Sequence, residues 1–367
     1  MTRSLRAIAS AVVALLAVLS LSACTNAVPG GSATGDPDTA KIGLLLPDSV
    51  TARYDSADRP YFEARIAELC PACQVLYGNA DGDVAKQQQQ AESMLTQGVR
   101  VLVLDPYDGV AAASIVALAK TRGVPVISYD RLIASPDLSY YISFDNELVG
   151  RLQAQALVDE LKARGVDPDD GGILMVNGSP TDNNASQFKR GAHQIIDASG
   201  YEVLAEFDTP GWDPAKAQDW VSGQISQFGR RIIAVYAAND PTAGGAIASF
   251  KAAGVSPLPP VTGQDAELAG LQRILTGDQF MTVYKALRPE ASLAAELAID
   301  LVNGRTTPGD VEVTVGSAQI PSFLLEPVAV TRDNIGTVVI DDDFFTIEQL
   351  CTRDYAAACR AAGLVSA

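Results

Sequence analysis

Short apolar runs alternate with helix-like stretches along most of this chain, and each run ends in a small group of polar residues. Strands and helices that alternate at this spacing predict βαβ units and a parallel sheet. In open α/β sheets, ligands bind beyond the carboxyl ends of the strands. The polar groups after the runs therefore predict the position of the functional site. The seven runs are 41–46, 101–104, 124–128, 172–176, 232–237, 260–262 and 281–283.

The length and composition indicate a globular protein with more than one domain. A chain of 367 residues is too long for one typical hydrophobic core, so two domains are expected. The chain carries 27 basic and 44 acidic residues, a formal net charge of −17, and it has no basic stripe. Nucleic acids and anionic membrane surfaces are therefore not expected as partners.

The N-terminal residues have the pattern of a secretory signal. Arg3 and Arg6 precede an apolar stretch over 7–21, which is too short for a typical membrane-spanning helix. The stretch ends in Leu-Ser-Ala-Cys, which resembles a bacterial lipobox. Residues 1–23 are therefore predicted to be a signal peptide, with Cys24 lipidated. Ordinary cleavage after Ala23 and an uncleaved anchor are the alternatives.

The segment that follows the cysteine is predicted to be a tether. Residues 25–40 are rich in Gly, Pro, Asp, Thr and Ser and lack apolar periodicity. The lipidated cysteine and the flexible tether over 24–40 would hold the body of the protein in the cell envelope, at the outer face of the cytoplasmic membrane.

The remaining cysteines are predicted to form disulfides. An even number of cysteines in an oxidising compartment favours disulfides, and these four allow three pairings. Pairing between neighbours in sequence is the preferred connectivity. A zinc site is the rival hypothesis, because Cys-x-x-Cys can supply half of one, but the second pair does not have that spacing. The pairs are Cys70 with Cys73 and Cys351 with Cys359.

The sequence offers little equipment for catalysis. It has one histidine, no Gly-x-Ser-x-Gly motif and no phosphate-binding loop. Asp130 and Asp265 could act as a carboxylate pair on a glycoside. Nearby arginine and lysine would keep both carboxylates ionised, which removes the general acid. The chain is predicted not to be an enzyme, and neither a cofactor nor a metal ion is expected.

Several short motifs are specific as a set. They are Tyr-Asp-Arg at 129–131, Ser-Phe-Asp-Asn at 143–146, Ser-Pro-x-Asp-Asn-Asn at 179–184, Asn-Asp-x-Thr-Ala-Gly-Gly at 239–245, Gly-Gln-Asp at 263–265 and Met-Thr-Val-Tyr-Lys at 281–285. With these motifs the chain resembles the type 1 periplasmic sugar-binding proteins of ABC importers, closest to their D-xylose-binding branch.

The resemblance implies a fold and a mode of action. The fold would be α/β, with two doubly wound parallel-sheet lobes joined by a three-segment hinge. The N-terminal lobe would comprise 41–145 plus about 286–325, and the C-terminal lobe 146–285 plus about 326–367. A monosaccharide, D-xylose first, would bind between the lobes as they close, and a monomeric protein would deliver it to an ABC permease. Another aldose (glucose, galactose or arabinose) and signalling to a membrane receptor are the alternatives.

The resemblance also implies the residues that contact sugar. Sugar hydroxyls both donate and accept hydrogen bonds, so planar charged groups and amides suit them. Aromatic rings cover the apolar C–H face of the sugar ring. Tyr54 departs from the family pattern, which often has tryptophan at that position. The implied ligand-binding residues are Arg53, Tyr54, Asp130, Arg131, Asn146, Asn184, Trp212, Asn239, Asp265 and Lys285.

Overall fold

The computed structural model describes residues 37–365. The predicted signal peptide, Cys24 and most of the predicted tether lie outside the described residues. Twelve strands are described: β1 Lys41–Leu46, β2 Gln74–Asn79, β3 Val101–Leu104, β4 Val126–Tyr129, β5 Tyr140–Phe144, β6 Gly172–Asn177, β7 Glu202–Asp208, β8 Ile232–Ala237, β9 Met281–Tyr284, β10 Val311–Val315, β11 Ala318–Leu325 and β12 Val328–Thr331.

Eleven α-helices accompany these strands in the described part of the chain. They are α1 Arg59–Leu69, α2 Val84–Thr96, α3 Ala113–Thr121, α4 Asn146–Ala163, α5 Asn183–Ser199, α6 Pro214–Phe228, α7 Asp240–Ala252, α8 Leu268–Thr276, α9 Leu287–Val302, α10 Ile347–Leu350 and α11 Ala356–Ala361.

The first sheet has seven strands in the order β10-β11-β5-β4-β3-β1-β2. Its neighbours are parallel except for the antiparallel pair β10 and β11. The central strands β1, β3, β4 and β5 are buried almost throughout, because separate apolar clusters cover the two faces of the sheet. This is the doubly wound α/β arrangement that the alternating sequence predicts.

The second sheet is built around the parallel strands β7-β6-β8, also with an apolar cluster on each face. The predicted strand over 260–262 is reduced to a single bridge between Val261 and Val235. Pro259 and Pro260 have no backbone N–H to donate, which limits the pairing of this segment. The segment still connects β8 to β9, since Val235 N donates to the Pro260 carbonyl and Phe280 N to the Val261 carbonyl.

The chain passes between the two sheets three times. After β5 it enters α4, which packs on α5 and on the second sheet. After β9 it enters α9, which packs on α1 and on the first sheet. After β11, at the edge of the parallel part of the first sheet, it enters β12, which pairs with β9. We call the part built on the first sheet the first lobe and the part built on the second sheet the second lobe.

Aspartate and asparagine begin many of the helices. Asp83, Asp145, Asp182, Asp213 and Asn239 each accept a backbone N–H in the first turn of α2, α4, α5, α6 and α7, respectively. An N-cap of this kind contributes about 1 kcal/mol to helix stability. Polar residues after the strands therefore serve two purposes, helix capping and display at the edge of the sheet.

Both predicted disulfides are formed, Cys70–Cys73 and Cys351–Cys359. Cys359 is buried in the apolar cluster that attaches the C-terminal helices to the second lobe. No helix within residues 37–365 has the length and apolar character needed to cross a membrane.

Helices α4 and α5 cross in close backbone contact, and two glycines make this possible. A Cβ at Gly150 would overlap the Phe188 carbonyl oxygen, and a Cβ at Gly191 would overlap that of Glu147. By contrast, a Cβ at Gly223 in α6 would meet nothing within 4 Å.

We expect Gly150→Ala to lower the free energy of unfolding by about 1–3 kcal/mol, because the added methyl forces the helices apart. Gly223→Ala, the matched control, should raise it by about 0.5–1 kcal/mol through its helix propensity. Denaturant unfolding followed by circular dichroism measures both. Equal effects of the two substitutions would contradict the proposed close crossing.

Candidate functional site

The loops after the strands of both sheets meet around one small cavity, with a volume of about 20 Å³. Nine of the ten predicted ligand residues line it, and all nine are buried. Four further lining residues were not predicted. The full lining is Thr51, Arg53, Tyr54, Asp130, Arg131, Asp182, Asn184, Phe188, Trp212, Asn239, Gln264, Asp265 and Lys285.

Arg53 is held in a buried cluster of carboxylates. Its Nε and Nη2 donate to the two oxygens of Asp58 at 2.8 and 2.7 Å, and Nη2 also donates to Glu290 Oε2 at 2.7 Å. Its Nη1 lies 3.4 Å from Asp130 Oδ1. Burial alone would lower the pKa of Arg53, but the three carboxylates outweigh burial and raise it. The guanidinium is therefore a fixed positive charge at the floor of the cavity.

Glu290 supports Arg53 from helix α9 and does not line the cavity. Its side chain is fully buried, and its Oε1 has no hydrogen-bond partner within residues 37–365. Burial raises the pKa of Glu290 well above its ordinary value, and Asp130 and Asp58 act in the same direction against the opposing effect of Arg53. The folded protein therefore favours the protonated form of this carboxyl.

Tyr54 connects the loop after β1 to the end of β4. Its hydroxyl accepts from Arg131 Nη2 at 2.9 Å and donates to Asp130 Oδ2 at 3.3 Å. The guanidinium carbons of Arg53 and Arg131 lie 5.5 and 5.6 Å from its ring centroid. Burial raises the pKa of Tyr54, so the phenol stays a neutral donor. The aromatic face expected here is present, together with a hydroxyl that a tryptophan would lack.

Asp130 is the anionic centre of the first lobe's half of the site. Burial would raise its pKa, but Arg53, Lys285, Arg131 and the Tyr54 hydroxyl together lower it, so the carboxylate is ionised. Its φ of +54° lies in the left-handed region, which a residue with a side chain rarely adopts. Such a conformation costs on the order of 1–3 kcal/mol and tends to occur at functional sites.

Trp212 forms the apolar wall of the second lobe's half. Its ring packs against Gly178, where a Cβ would overlap it, and edge-on against Phe188, with ring centroids 6.3 Å apart. Its indole N–H donates to Asp182 Oδ2 at 3.1 Å. The same Asp182 oxygen lies 3.1 Å from Arg131 Nε, so it connects the aromatic wall with the first lobe.

The second lobe adds Asp265 and Lys285, which form an ion pair at 3.1 Å. Lys285 Nζ also lies 3.9 Å from Asp130 Oδ1 across the cavity. Asn239 caps α7 through its Oδ1, which accepts from Thr242 N at 3.0 Å, and this leaves its Nδ2 for other partners. Asn239 therefore both caps α7 and lines the cavity.

Direct hydrogen bonds join the lobes around the cavity. Asn184 Nδ2 donates to the Asp130 carbonyl at 3.0 Å. At the rim, Gly109 N donates to the Thr181 carbonyl at 3.1 Å, and on another side Ala52 N donates to Glu267 Oε1 at 3.2 Å. The lobes are thus closed on each other in this structure.

Asn146 is the predicted ligand residue that the structure places outside the lining. It is the first residue of α4, and its Nδ2 donates to Ser143 Oγ at 3.1 Å. The side chain is directed back to the end of β5 by the start of the helix. Asp105, which follows β3, is fully buried behind Arg131, with its Oδ1 3.8 Å from Arg131 Nε.

Four lining residues were missed by the sequence analysis: Thr51, Asp182, Phe188 and Gln264. Asp182 and Gln264 lie inside motifs that the sequence analysis used, next to residues chosen from them. Thr51 and Phe188 carry no distinguishing pattern, since one lies in a loop and the other on the buried face of α5.

The lining suits a small uncharged polar ligand. Three cationic side chains (Arg53, Arg131 and Lys285) face three acidic ones (Asp130, Asp182 and Asp265), so the formal charges balance. Within residues 37–365, no group of three or more histidine, cysteine, aspartate or glutamate side chains is arranged to hold a metal ion. A closed α/β cleft with charged groups and an aromatic wall from both lobes defines a ligand-binding protein.

Comparisons with known proteins agree with this class. Residues 42–306 match the model of the "Periplasmic binding protein domain" family, and the chain belongs to that family. It is 38% identical over 314 residues to the D-xylose-binding periplasmic protein of Escherichia coli, covering 84% of this chain and 92% of that protein. It is 33% identical to a multiple sugar-binding periplasmic receptor of Rhizobium radiobacter, covering 85% and 93%, respectively.

A solved structure supports the fold. An ABC transporter solute-binding protein from Clostridium phytofermentans, solved with bound β-D-glucose, matches with a TM-score of 0.77 and 29% identity, covering 84% of this chain and 99% of that chain. The predicted fold class is therefore confirmed. The family is one of extracytoplasmic binding proteins, which confirms that the chain is not an enzyme.

The carboxylates around Arg53 are expected to respond differently to neutral substitution. Asp58→Asn should lower the free energy of unfolding by about 3–5 kcal/mol. Both Asp58 oxygens accept from Arg53, and Oδ1 also accepts from the Tyr129 hydroxyl, so an amide N–H₂ would oppose a donor. Glu290→Gln should cost less, since Glu290 Oε1 has no partner to lose.

The pH dependence of the stability of Glu290→Gln tests whether Glu290 is protonated in the folded protein. Because its pKa is raised by folding, Glu290 stabilises the fold fully only below its unfolded pKa, and this contribution is lost as pH rises. Denaturant titrations between about pH 4 and 8 should show Glu290→Gln gaining stability relative to wild type with increasing pH. A difference that stays constant across this range would show that Glu290 does not hold a proton.

Proposed function

We propose that this chain captures a neutral monosaccharide, D-xylose first among the aldoses, and delivers it to an ABC sugar permease. The observation that carries the proposal is the cavity between the lobes, whose charged, amide and aromatic lining comes from both lobes. Sugar hydroxyls match such groups because each hydroxyl donates and accepts. The 38% identity to a D-xylose-binding protein over most of both chains supports the choice of sugar.

Within this proposal each side chain has a definite role. Asp130, Arg131, Asp265, Lys285 and Asn239 bind hydroxyls, because they combine charge or amide groups with a position on the lining. Trp212 covers the apolar face of the sugar ring. Arg53 and Tyr54 hold Asp130 and Arg131 in place and contribute to the cavity floor. Asn184 joins the lobes through Asp130.

The proposed mechanism is hinge closure. The lobes would comprise 41–145 plus about 286–325 and 146–285 plus about 326–367, and they would separate about the three connections between the sheets. A sugar that contacts both lobes binds the closed form better and shifts the population toward it. The permease would then recognise the closed form of a monomer.

A second use of the same closure is favoured by one relative. The Rhizobium radiobacter protein, 33% identical, is described as a multiple sugar-binding receptor. Signalling to a membrane receptor needs only the closed shape, as delivery to a permease does. The glucose complex of the Clostridium phytofermentans protein makes glucose the main rival sugar.

We also propose that the chain is a lipoprotein, with the lipid on Cys24 and a tether over 24–40. The Leu-Ser-Ala-Cys motif after an apolar stretch supports this. In the native host, Cys24→Ser should abolish incorporation of labelled fatty acid and release the protein from the membrane fraction. A wild-type protein without lipid by intact mass spectrometry would refute the anchor.

Calorimetric titration tests the proposed function. The protein without its first 36 residues is titrated with D-xylose, D-glucose, D-galactose and L-arabinose. We expect D-xylose to be among the tightest ligands, because the small, charge-balanced cavity has little space for additional groups. Equal, weak heats for all sugars would refute the proposal.

The control is Asp265→Asn in the same titration. Asparagine tolerates the left-handed backbone at this position, where φ is +89°, so the fold is preserved. Losing a charged hydrogen bond to the sugar should weaken binding about 10- to 100-fold. Unchanged affinity in a folded variant would remove Asp265 from the site while leaving the proposed function intact.

A further inference from the structure

Four glutamine side chains are buried within residues 37–365, and one of them differs from the others. They are Gln87, Gln153, Gln264 and Gln279, each no more than 3% exposed. A buried amide has two donors and an acceptor to satisfy, and leaving them unpaired costs free energy.

Three of these glutamines use both ends of the amide within the fold. Gln87 donates to the Asp105 carbonyl at 2.8 Å and accepts from Tyr107 N at 3.0 Å. Gln153 donates to the Gly263 carbonyl at 2.9 Å and accepts from the Tyr236 hydroxyl at 3.0 Å. Gln279 donates to Asp240 Oδ1 at 2.6 Å and accepts from Arg273 Nε at 3.0 Å. These side chains are structural.

Gln264 makes no side-chain hydrogen bond to any of residues 37–365, and its Oε1 is buried without a partner. It is also the one buried glutamine that lines the cavity. An oxygen in this condition would cost about 1–3 kcal/mol if nothing ever satisfied it. The fold has therefore left this amide available to a molecule in the cavity.

Hydrogen bonds fix the backbone around Gln264, and they thereby fix the position of its side chain at the cavity. The Gln264 carbonyl accepts from Asp240 N at 3.0 Å, and Asp265 N donates to the Val283 carbonyl at 2.8 Å. Ala266 N donates to Thr282 Oγ1 at 3.1 Å. The preceding Gly263 packs so closely on Asp240 that a Cβ would overlap its carboxylate. A loop restrained in this way presents its side chains in a preorganised geometry.

We propose that Gln264 is a further ligand-contacting and specificity-determining residue, whose amide hydrogen-bonds a sugar hydroxyl next to the one held by Asp265. This rests on the proposed function. A ligand lacking that hydroxyl would leave the buried amide unsatisfied, so the site rejects it. Gln264 thereby recognises one hydroxyl of the sugar in addition to those bound by the charged residues.

The test combines a substitution in the protein with the removal of single hydroxyls from the ligand, as in a double-mutant cycle. Wild type and Gln264→Met, which has similar volume and no amide, are titrated with D-xylose and with the four analogues that each lack one ring hydroxyl, at C1, C2, C3 or C4. We expect Gln264→Met to bind D-xylose about 10-fold more weakly, the loss of one hydrogen bond. One deoxy analogue should bind wild type more weakly than D-xylose does. The same analogue and D-xylose should bind Gln264→Met with equal affinity.

Two control variants separate contact from structure. Gln87→Met should lower the thermal stability of the unliganded protein because both its hydrogen bonds are lost, whereas Gln264→Met removes no hydrogen bond within the fold and should not lower it. Gln97→Met, on the exposed end of α2, should bind D-xylose as wild type does.

The outcomes distinguish the two proposals. If Gln264→Met binds D-xylose and all its deoxy analogues with wild-type affinities, Gln264 does not contact the sugar, and the sugar-binding function stands. If all four analogues lose as much affinity with the variant as with wild type, the claim of hydroxyl recognition is overturned. If wild type binds no aldose at all, the proposed function and this inference fail together.

Discussion

The Arg53 guanidinium lies between three acidic side chains, two of which come from distant parts of the chain, and the geometry of the first lobe's half of the site depends on it. Asp58 follows it by one helical turn, Asp130 ends β4, and Glu290 belongs to α9, which begins after the chain has returned from the second lobe. A buried charge without partners would be very costly, so each of these segments must be in place before the cluster is satisfied. The cluster thereby fixes the floor of the cavity and couples α9 to it.

Strained backbone is the second element of preorganisation. Of the six residues other than glycine with positive φ within residues 37–365, three line the cavity: Asp130, Trp212 and Asp265. Each ends or follows a segment held by hydrogen bonds on both sides, for example Asp130 N to the Ile142 carbonyl and Asp265 N to the Val283 carbonyl. The surrounding sheets therefore supply the free energy that the unfavourable conformations cost. The strain directs side chains away from the strand axis and into the space between the lobes.

The sequence predicts the sheet alternation well because buried parallel strands have a continuous apolar signature that does not depend on distant contacts. It also predicts most of the site, since polar residues after such strands must lie at one edge. It fails where position depends on a single backbone turn. Asn146 has the right residue type but starts a helix, which directs its amide to Ser143. Gln264 lies in the Gly-Gln-Asp motif, but its position at the cavity depends on backbone hydrogen bonds from Asp240 N to its carbonyl and from Asp265 N to the Val283 carbonyl, which link segments distant in sequence. The strands β10 and β11 were not predicted, because they form an antiparallel pair without an intervening helix and so depart from the βαβ repeat.

The bonds that hold Arg53 in place are shorter than the contacts that Asp130 makes with Arg53 and Lys285. Bonds from Arg53 to Asp58 and Glu290 are 2.7 Å, the usual length of a charge-assisted hydrogen bond, and they lie behind the cavity. Two contacts of Asp130 at the cavity are longer, 3.4 Å to Arg53 and 3.9 Å to Lys285, whereas Lys285 and Asp265 are 3.1 Å apart. At those separations the charged groups attract each other, but their donors and acceptors remain available for hydrogen bonds to a ligand. An uncharged ligand rich in hydroxyls fits this requirement, because it can bridge unlike charges without disturbing their balance. The bonds behind the cavity hold Arg53 in place, so its longer contact with Asp130 stays available to a ligand.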